Sequence, residues 1–429
     1  MSFAIMRRDL SRPDLIRPGR IRLDGPHVNV TLRTTRLIDA DGERPGVVGI
    51  DAGILRLLPP DMASPGTDDE TIDLGDAPLV PGYVDVHVHG GGGFALHTTD
   101  PHEIAAFARW APRTGVTSFL IAVVGVEDGL PEAQLRTAAA VVADPPPGAE
   151  AIGIHLEGPF MEPSRRGAHP LAWLRTPSPA ATDAILAAAG DALRLVTLAP
   201  ELPGAGDLID ALVARGITAS AGHTAADEAQ TEVAFARGVT HVTHCFNAMP
   251  PMLHRAPGPT GALVASPHVR GELIADGVHV HEAAARLLAR ALGPDRLVLI
   301  TDALPAAGMG DGPFLLGSQP FRVERGVARM ADGALAGSTM TMDAAVPRAM
   351  AWGFDLAAAV TMATRTPARA VGLDRRKGVL RDGFDADLVI LAPDLSVAAT
   401  ICRGRLAHVV PGWADRLAVL PTTAAASAP

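Results

Sequence analysis

Five short segments bring His, Glu or Asp together in patterns that suit chemistry. They are Asp85-Val86-His87-Val88-His89-Gly90, His155-Leu156-Glu157-Gly158-Pro159, Ser220-Ala221-Gly222-His223, Thr243-His244-Cys245-Phe246-Asn247 and Ile300-Thr301-Asp302. Side chains on an extended segment alternate faces, so His87 and His89 are expected on one face with Val86 and Val88 on the other. Two imidazoles on one face, near Glu157, His223 and His244, make a nitrogen and oxygen donor set. Such a set suits zinc or another divalent transition ion better than calcium or magnesium. An ion with an open coordination position lowers the pKa of a bound water to about 7. Asp302 then has the chemistry of a general base toward that water, and later of an acid toward a leaving amine.

Taken singly, each residue also has a plain structural reading. An isolated His-X-His is more often accidental than a metal site, Glu157 alone suits a buried ion pair, and Asp302 alone suits a helix N-cap. His155 shares a face with Glu157 and is read as a supporting or packing residue; His241 and His254 are read as ordinary surface or loop residues. The Gly run at 90–93 lacks the Lys-Ser/Thr of a phosphate loop and directly follows the His pair, so it reads as a turn leaving the site mouth open. No Gly-X-Ser-X-Gly elbow is obvious, and neither Cys245 nor Cys402 sits in a nucleophilic setting.

The elements that must position these residues repeat along the chain. Between 81 and 374, runs rich in Val, Ile and Thr alternate with Ala-rich stretches of helical spacing, which predicts a parallel sheet covered by helices. Eight strands are predicted near 83–89, 116–123, 151–157, 193–198, 217–222, 240–244, 271–276 and 296–301, the number a (β/α)8 barrel requires. Strands one, three, five, six and eight then end in the five segments above, at the rim where such barrels place their active sites. Short β-type runs at 27–80 and 375–415 predict one small β-sandwich domain built from both chain ends. Residues 1–26 read as an extension and 416–429 as a disordered tail.

With 429 residues the chain is long enough for a barrel and a smaller module. A net charge of −10 with no basic cluster argues against nucleic acid or an anionic membrane as partner, so an anionic substrate would need a local basic pocket. Two cysteines exclude a disulfide framework. No secretory leader and no run of about 20 apolar residues is visible, so a cytoplasmic location is expected.

The ordered motifs PGYVDVHVHGGGG, GIHLEGPFMEPSRRGAHP, ASAGHTAADE, THCFNAMPPMLHRAPG, IADGVHV, LITDALPAAG and LAGSTMTMD resemble those of the N-acetylglucosamine-6-phosphate deacetylases, within the amidohydrolase superfamily. They span about residues 80–345, and TRTPARAVGLDRRKGVLRDGFDADLVIL resembles the family's C-terminal return to the smaller domain. The resemblance implies that Glu157, His223 and His244 hold a principal metal ion and that His87 and His89 match a pair holding a second one in some members. It thus implies one or two ions per subunit, zinc or iron. It implies Asp302 as catalytic base and acid, and His169 as the residue contacting the acetamide carbonyl. Asn247, Ala248 and His279 match residues near the sugar and its phosphate, and Thr339 and Met340 lie in a loop expected to border the sugar pocket. Arg255 matches an arginine that reaches the phosphate from the neighbouring subunit of a homodimer, where a guanidinium fork suits bidentate phosphate binding.

Phe246 stands where Tyr is common, and IAVVGVEDG and MPPMLHRAPG depart from the family wording. These departures bear on substrate identity more than on reaction type. The implied reaction is deacetylation of N-acetylglucosamine 6-phosphate to glucosamine 6-phosphate and acetate. The galacto epimer is the nearest alternative. A cyclic-amide hydrolase of the superfamily would gain from a Lys on strand four, but LRLVTLAPE has none; a non-catalytic sugar-phosphate sensor predicts lost ligands, and these are intact.

Overall fold

The computed structural model describes residues 30–59 and 70–423. The extension expected at 1–26 and residues 424–429 of the expected tail lie outside the described residues. Eight parallel strands form the central sheet: Tyr83–Asp85, Val116–Val123, Glu150–Glu157, Leu193–Leu198, Thr218–Ala221, His241–Val242, Arg270–Ile274 and Leu297–Ile300, each beside its sequence neighbour. They fall where the apolar runs predict them. The first and eighth strands complete a nearly closed barrel through fewer bonds: Thr301 Oγ1 donates to Asp85 Oδ2 at 2.6 Å, and Asp302 N donates to His87 O at 2.9 Å.

The outer faces of the strands and the covering helices share one large apolar cluster, including Tyr83, Phe119, Ile154, Val196, Leu273 and Leu299. Val84, Val86, Leu120, Ile152, Leu195, Ile274, Val298 and Ile300 form a second cluster, closed off by Ala368, Ala370 and Val371. In the strands these residues alternate with members of the first cluster, so they fill the barrel interior. The helices start where the sequence offers caps. Asp227 and Gln230 form a reciprocal capping box at Glu228–Arg237, and Asp100 and Asp355 each cap a helix with a carboxylate.

Both chain ends do fold together. Val30–Asp39, Gly42–Asp51, Ile54–Leu58, Glu70–Asp73 and Leu79–Pro81 join Leu388–Leu391, Val397–Cys402 and Arg405–Val409. Hydrogen bonding links all eight into one sheet rather than the two facing sheets the sequence suggested, because Leu79–Pro81 pairs with strands from both ends. The chain also stays packed beyond 416: Leu417 and Leu420 are buried against this sheet. The sheet is tied to the barrel by a buried charge cluster. Lys377 Nζ lies 2.6 Å from Glu150 Oε2 at the start of the third barrel strand, 2.9 Å from Asp385 and 2.5 Å from Asp387, with Arg376 also bonded to Glu150 and Asp385.

A feature absent from the sequence reading follows the eighth barrel strand. Gly312–Leu316, Gln319–Glu324, Val327–Met330 and Leu335–Gly337 make a four-stranded antiparallel sheet inside the span read as barrel. Its signals are local: alternating burial along Gln319–Glu324, and an Arg325-Gly326 turn with both residues at positive φ, the geometry a tight hairpin needs. Phe321, Val323 and Ala328 form a small core of their own with Leu304 and Ala306. This insertion overhangs the barrel rim.

Candidate functional site

The five segments converge at that rim. Glu157 lies at their centre, 3 % exposed. Its Oε1 is 3.2 Å from both His223 Nε2 and His244 Nε2 and 3.3 Å from His87 Nε2; its Oε2 is 3.3 Å from His89 Nε2 and 3.5 Å from His169 Nε2. Asp302 Oδ1 is 3.1 Å from His89 Nε2 and 3.5 Å from His87 Nε2. Two donor groups result, Glu157–His223–His244 and His87–His89–Asp302, each with its ligand atoms within 4.8 Å of one another. Regular strand one stops at Asp85, short of the His pair. Val88 packs outside the barrel as expected, but Val86 joins Val84 in the interior cluster, keeping the strand's own alternation; the alternation breaks between Val86 and Val88, past the strand's end.

Local backbone sets these side chains in place. His223, His244 and Asp302 all have positive φ, at 48°, 26° and 48°. Such strained turns are sparsely populated and cluster at functional sites. They tip each side chain over the barrel end as its strand terminates. Gly222 permits one of these turns by close approach: a Cβ there would fall 2.7 Å from Thr243 Cβ and 2.8 Å from Thr197 Cγ2.

The donor chemistry fits a divalent cation. His223 Nδ1 is 2.9 Å from the Arg165 carbonyl, and His87 Nδ1 is 2.9 Å from Glu272 Oε2. A carbonyl and a carboxylate only accept, so both rings carry a proton on Nδ1, and the His223 ring, neutral, points a lone pair from Nε2 at Glu157. For His87, burial opposes the charged ring, but Glu157, Glu272 and Asp302 outweigh it and raise its pKa well above the ordinary imidazole range. His223 Nε2 and His244 Nε2 stand 3.0 Å apart, and buried His87 Nε2 has no hydrogen-bond partner. Lone pairs aimed at one another in a buried space require a cation between them, a proton or a metal ion.

Electrostatics hold the two carboxylates and His223 in the form that binds a cation, while the His87 and His89 rings retain protons that a bound ion would displace. Burial opposes ionisation of Glu157, but the imidazoles of His87, His169, His223 and His244 outweigh it and hold its carboxyl well below the usual range. Asp302 is likewise lowered against its burial by His87 and His89. Burial pushes His223 down to about 4, favouring the neutral ring. Burial also opposes the charge of His89, yet its bonds to Asp302 and Glu157 lift it to about 9.

A cavity of about 250 Å³ opens over the two groups. Of the residues singled out in the sequence, His89, Glu157, His169, His223, His244, Asn247, Ala248, His279 and Asp302 line it. His169 stands on the loop after strand three, where Arg166 donates to its carbonyl at 2.9 Å. Asn247 Nδ2 donates to the carbonyls of His244 and Cys245, and His279 Nδ1 is bound to Asp276 at 2.6 Å. Arg255 is not a wall of this cavity; it lies exposed on a loop beside His254, with Met252 and Leu253 exposed nearby.

Thr339 and Met340 do not border the cavity either. A bridge between Ser338 and Ala303 turns the chain inward, Thr339 Oγ1 donates to Gly326 O, and Met340 is buried below the rim. The wall at that place is Ala334–Gly337, joined by Leu316 and Gln319 of the overhanging sheet, which the sequence reading did not include. His241 is corrected as well: it is 1 % exposed and pairs with Glu272 inside the barrel. Both residues had a signal, since a charged side chain within an apolar barrel strand must have a buried partner.

A barrel with buried His, Glu and Asp at its C-terminal rim defines a class, and the amidohydrolase family model matches residues 79–407. The chain belongs to the amidohydrolase family. Within it, the chain is similar to the N-acetylglucosamine-6-phosphate deacetylase of Bacillus subtilis (strain 168), 36% identical over 372 residues that cover 85% of this chain and 93% of the relative. It is 39% identical over 330 residues to the N-acetylgalactosamine-6-phosphate deacetylase of Escherichia coli O157:H7, covering 77% and 87%. Among solved structures it is similar to an Asp-to-Ala variant of the Mycobacterium smegmatis N-acetyl-D-glucosamine-6-phosphate deacetylase in complex with N-acetyl-D-glucosamine-6-phosphate. That match has a TM-score of 0.83 and 37% identity, covering 89% of this chain and all of that one (100%). Among the described residues, no helix is long and apolar enough to cross a membrane.

Proposed function

We propose that the protein hydrolyses the N-acetyl group of N-acetylglucosamine 6-phosphate, releasing acetate and glucosamine 6-phosphate. The observation that carries this is the pair of buried donor groups meeting at Glu157 on the floor of a cavity that also presents His169 and Asp302. Glu157, His223 and His244 would hold one divalent ion, zinc or iron, and His87 and His89 a second where two are bound. Such an ion supplies Lewis acidity at the carbonyl and lowers the pKa of water. Asp302 takes a proton from the attacking water as its oxygen bonds the acetamide carbon. It returns that proton to the sugar nitrogen as the C–N bond breaks. His169 donates to the carbonyl oxygen, where negative charge grows. Asn247, Ala248 and His279 bound the sugar.

The phosphate needs a cation, and no Lys or Arg is among the described residues lining the cavity. This supports the reading that the working unit is a homodimer whose partner brings Arg255, carried on an exposed loop with apolar Met252 and Leu253. Arg255→Ala is expected to raise KM for the sugar phosphate by about 10- to 100-fold, the worth of a hydrogen bond to a charged group. Turnover of the unphosphorylated sugar should not change, and steady-state kinetics on both substrates decides. Two buried, unpaired cysteines support a cytoplasmic location.

The test is acetate release by metal-reconstituted protein from N-acetylglucosamine 6-phosphate, the unphosphorylated sugar and the galacto epimer. Turnover of the gluco phosphate far above the other two supports the proposal. Preference for the epimer, consistent with the similarity to an N-acetylgalactosamine-6-phosphate deacetylase, would keep the mechanism and move the substrate. No release from any of the three, with metal bound, would sink it.

A further inference from the structure

Below the two donor groups the barrel interior turns polar, and one carboxylate organises it. Glu272 is wholly buried in the seventh strand. Its Oε2 is 2.9 Å from His87 Nδ1 and accepts from His244 N at 3.1 Å; its Oε1 is 3.1 Å from His241 Nε2. Its own backbone carbonyl accepts from Cys245 N at 2.9 Å. Glu272 therefore grips His87, a member of one donor group, and the strained turn bearing His244, a member of the other. Each contact has a directional consequence. A carboxylate at Nδ1 keeps the His87 proton there and leaves Nε2 as the ligand atom. The bonds to His244 N and Cys245 N fix the turn that aims His244 at Glu157. His241, donating to the other oxygen, satisfies a carboxylate that would otherwise be buried with one face unpaired.

We propose that Glu272 is a positioning residue for the metal centre: with His241 it sets the tautomer and aim of His87 and pins the turn carrying His244. It touches no substrate. This rests on the reading that the two groups hold divalent ions. Gln in its place can still turn its carbonyl toward His87, since the free Nδ1 of His241 lets that ring change tautomer. Leu leaves all three donors without an acceptor.

Metal-depleted wild type, Glu272→Leu and Glu272→Gln are titrated with zinc alone against a chromophoric chelator. In parallel, the imidazole nitrogen resonances of zinc-loaded wild type report which His87 nitrogen carries the proton. Expected are zinc binding weaker by about 10- to 100-fold in Glu272→Leu, recovery to within a few-fold in Glu272→Gln, and a His87 proton on Nδ1. Wild-type affinity in Glu272→Leu, a Gln variant as weak as the Leu variant, or a proton on Nε2 would each overturn the proposal. If Glu272→Leu does not fold, the resonance assignment decides alone. A wild type that holds no zinc overturns the functional reading itself, an outcome separate from the variants' behaviour.

Discussion

Asp302→Asn is expected to lower kcat for acetate release by about 100- to 10,000-fold, the range general acid–base groups contribute. The carboxylate sits 3.1 Å from His89 Nε2 in a turn of positive φ, facing the cavity that His169 and His279 also line. Asparagine is nearly the same size and keeps one oxygen, so the backbone hydrogen bonds from Asp302 N to His87 O and from Ser338 N to Asp302 O persist. What disappears is a group able to take a proton and hand it back. KM should therefore move little while kcat collapses, and zinc bound by Glu157, His223 and His244 should remain. Steady-state kinetics with metal analysis of the same samples checks both. A variant retaining more than a tenth of wild-type kcat would remove Asp302 from the proposed role.

The second large effect concerns stability. Lys377 is 2 % exposed and faces three carboxylates, Glu150, Asp385 and Asp387. Burial disfavours its charge, but Asp387, Glu150 and Asp385 outweigh that and raise its pKa above the ordinary lysine value. Burial likewise opposes ionisation of Glu150, yet Lys377, Arg376 and Arg403 hold its carboxyl well below the usual range. Asp387 bears the cost of the arrangement, lifted by burial despite Lys377. Lys377→Met leaves the three acids with too few cations and should cost about 3–5 kcal/mol, as expected for breaking a buried pair from one side. Urea unfolding of metal-depleted protein measures it, and a loss under 1 kcal/mol would contradict the account.

The same cluster has a pH signature with a fixed sign. Glu150 titrates lower when folded, so its contribution is fully present above the unfolded carboxyl value of about 4.3 and fades as pH falls below it. Lys377 titrates higher when folded, so its contribution is present below about 10.4 and is lost only as pH rises through its folded value. The difference in stability between wild type and Lys377→Met should thus be largest across the neutral range and shrink in acid.

How far these residues were legible differs by the range of the interaction. His87, His89, Glu157, His223, His244 and Asp302 could be found because each ends a strand, and strand order in a (β/α)8 barrel already dictates which ends meet. The inserted sheet at 312–337 was legible in principle, through alternation and its Arg-Gly and Asp-Gly turns, but it lay hidden inside a span whose larger period read as barrel. Glu272 and His241 carry a local signal of burial within apolar strands, but that each is the other's partner shows only once the barrel closes and brings them to 3.1 Å.

By itself the sequence determined the reaction class and the scaffold, since apolar periodicity and residue type at strand ends are local properties written in neighbouring positions. Only the tertiary structure decided that Glu157 of one donor group also reaches His87 and His89 of the other, that Ala334–Gly337 rather than Thr339 and Met340 wall the cavity, and that Glu272 holds His87 and the His244 turn. Those are distances between side chains from different strands and loops. They follow from how each strand ends and from the close packing of the interior, which no single segment encodes.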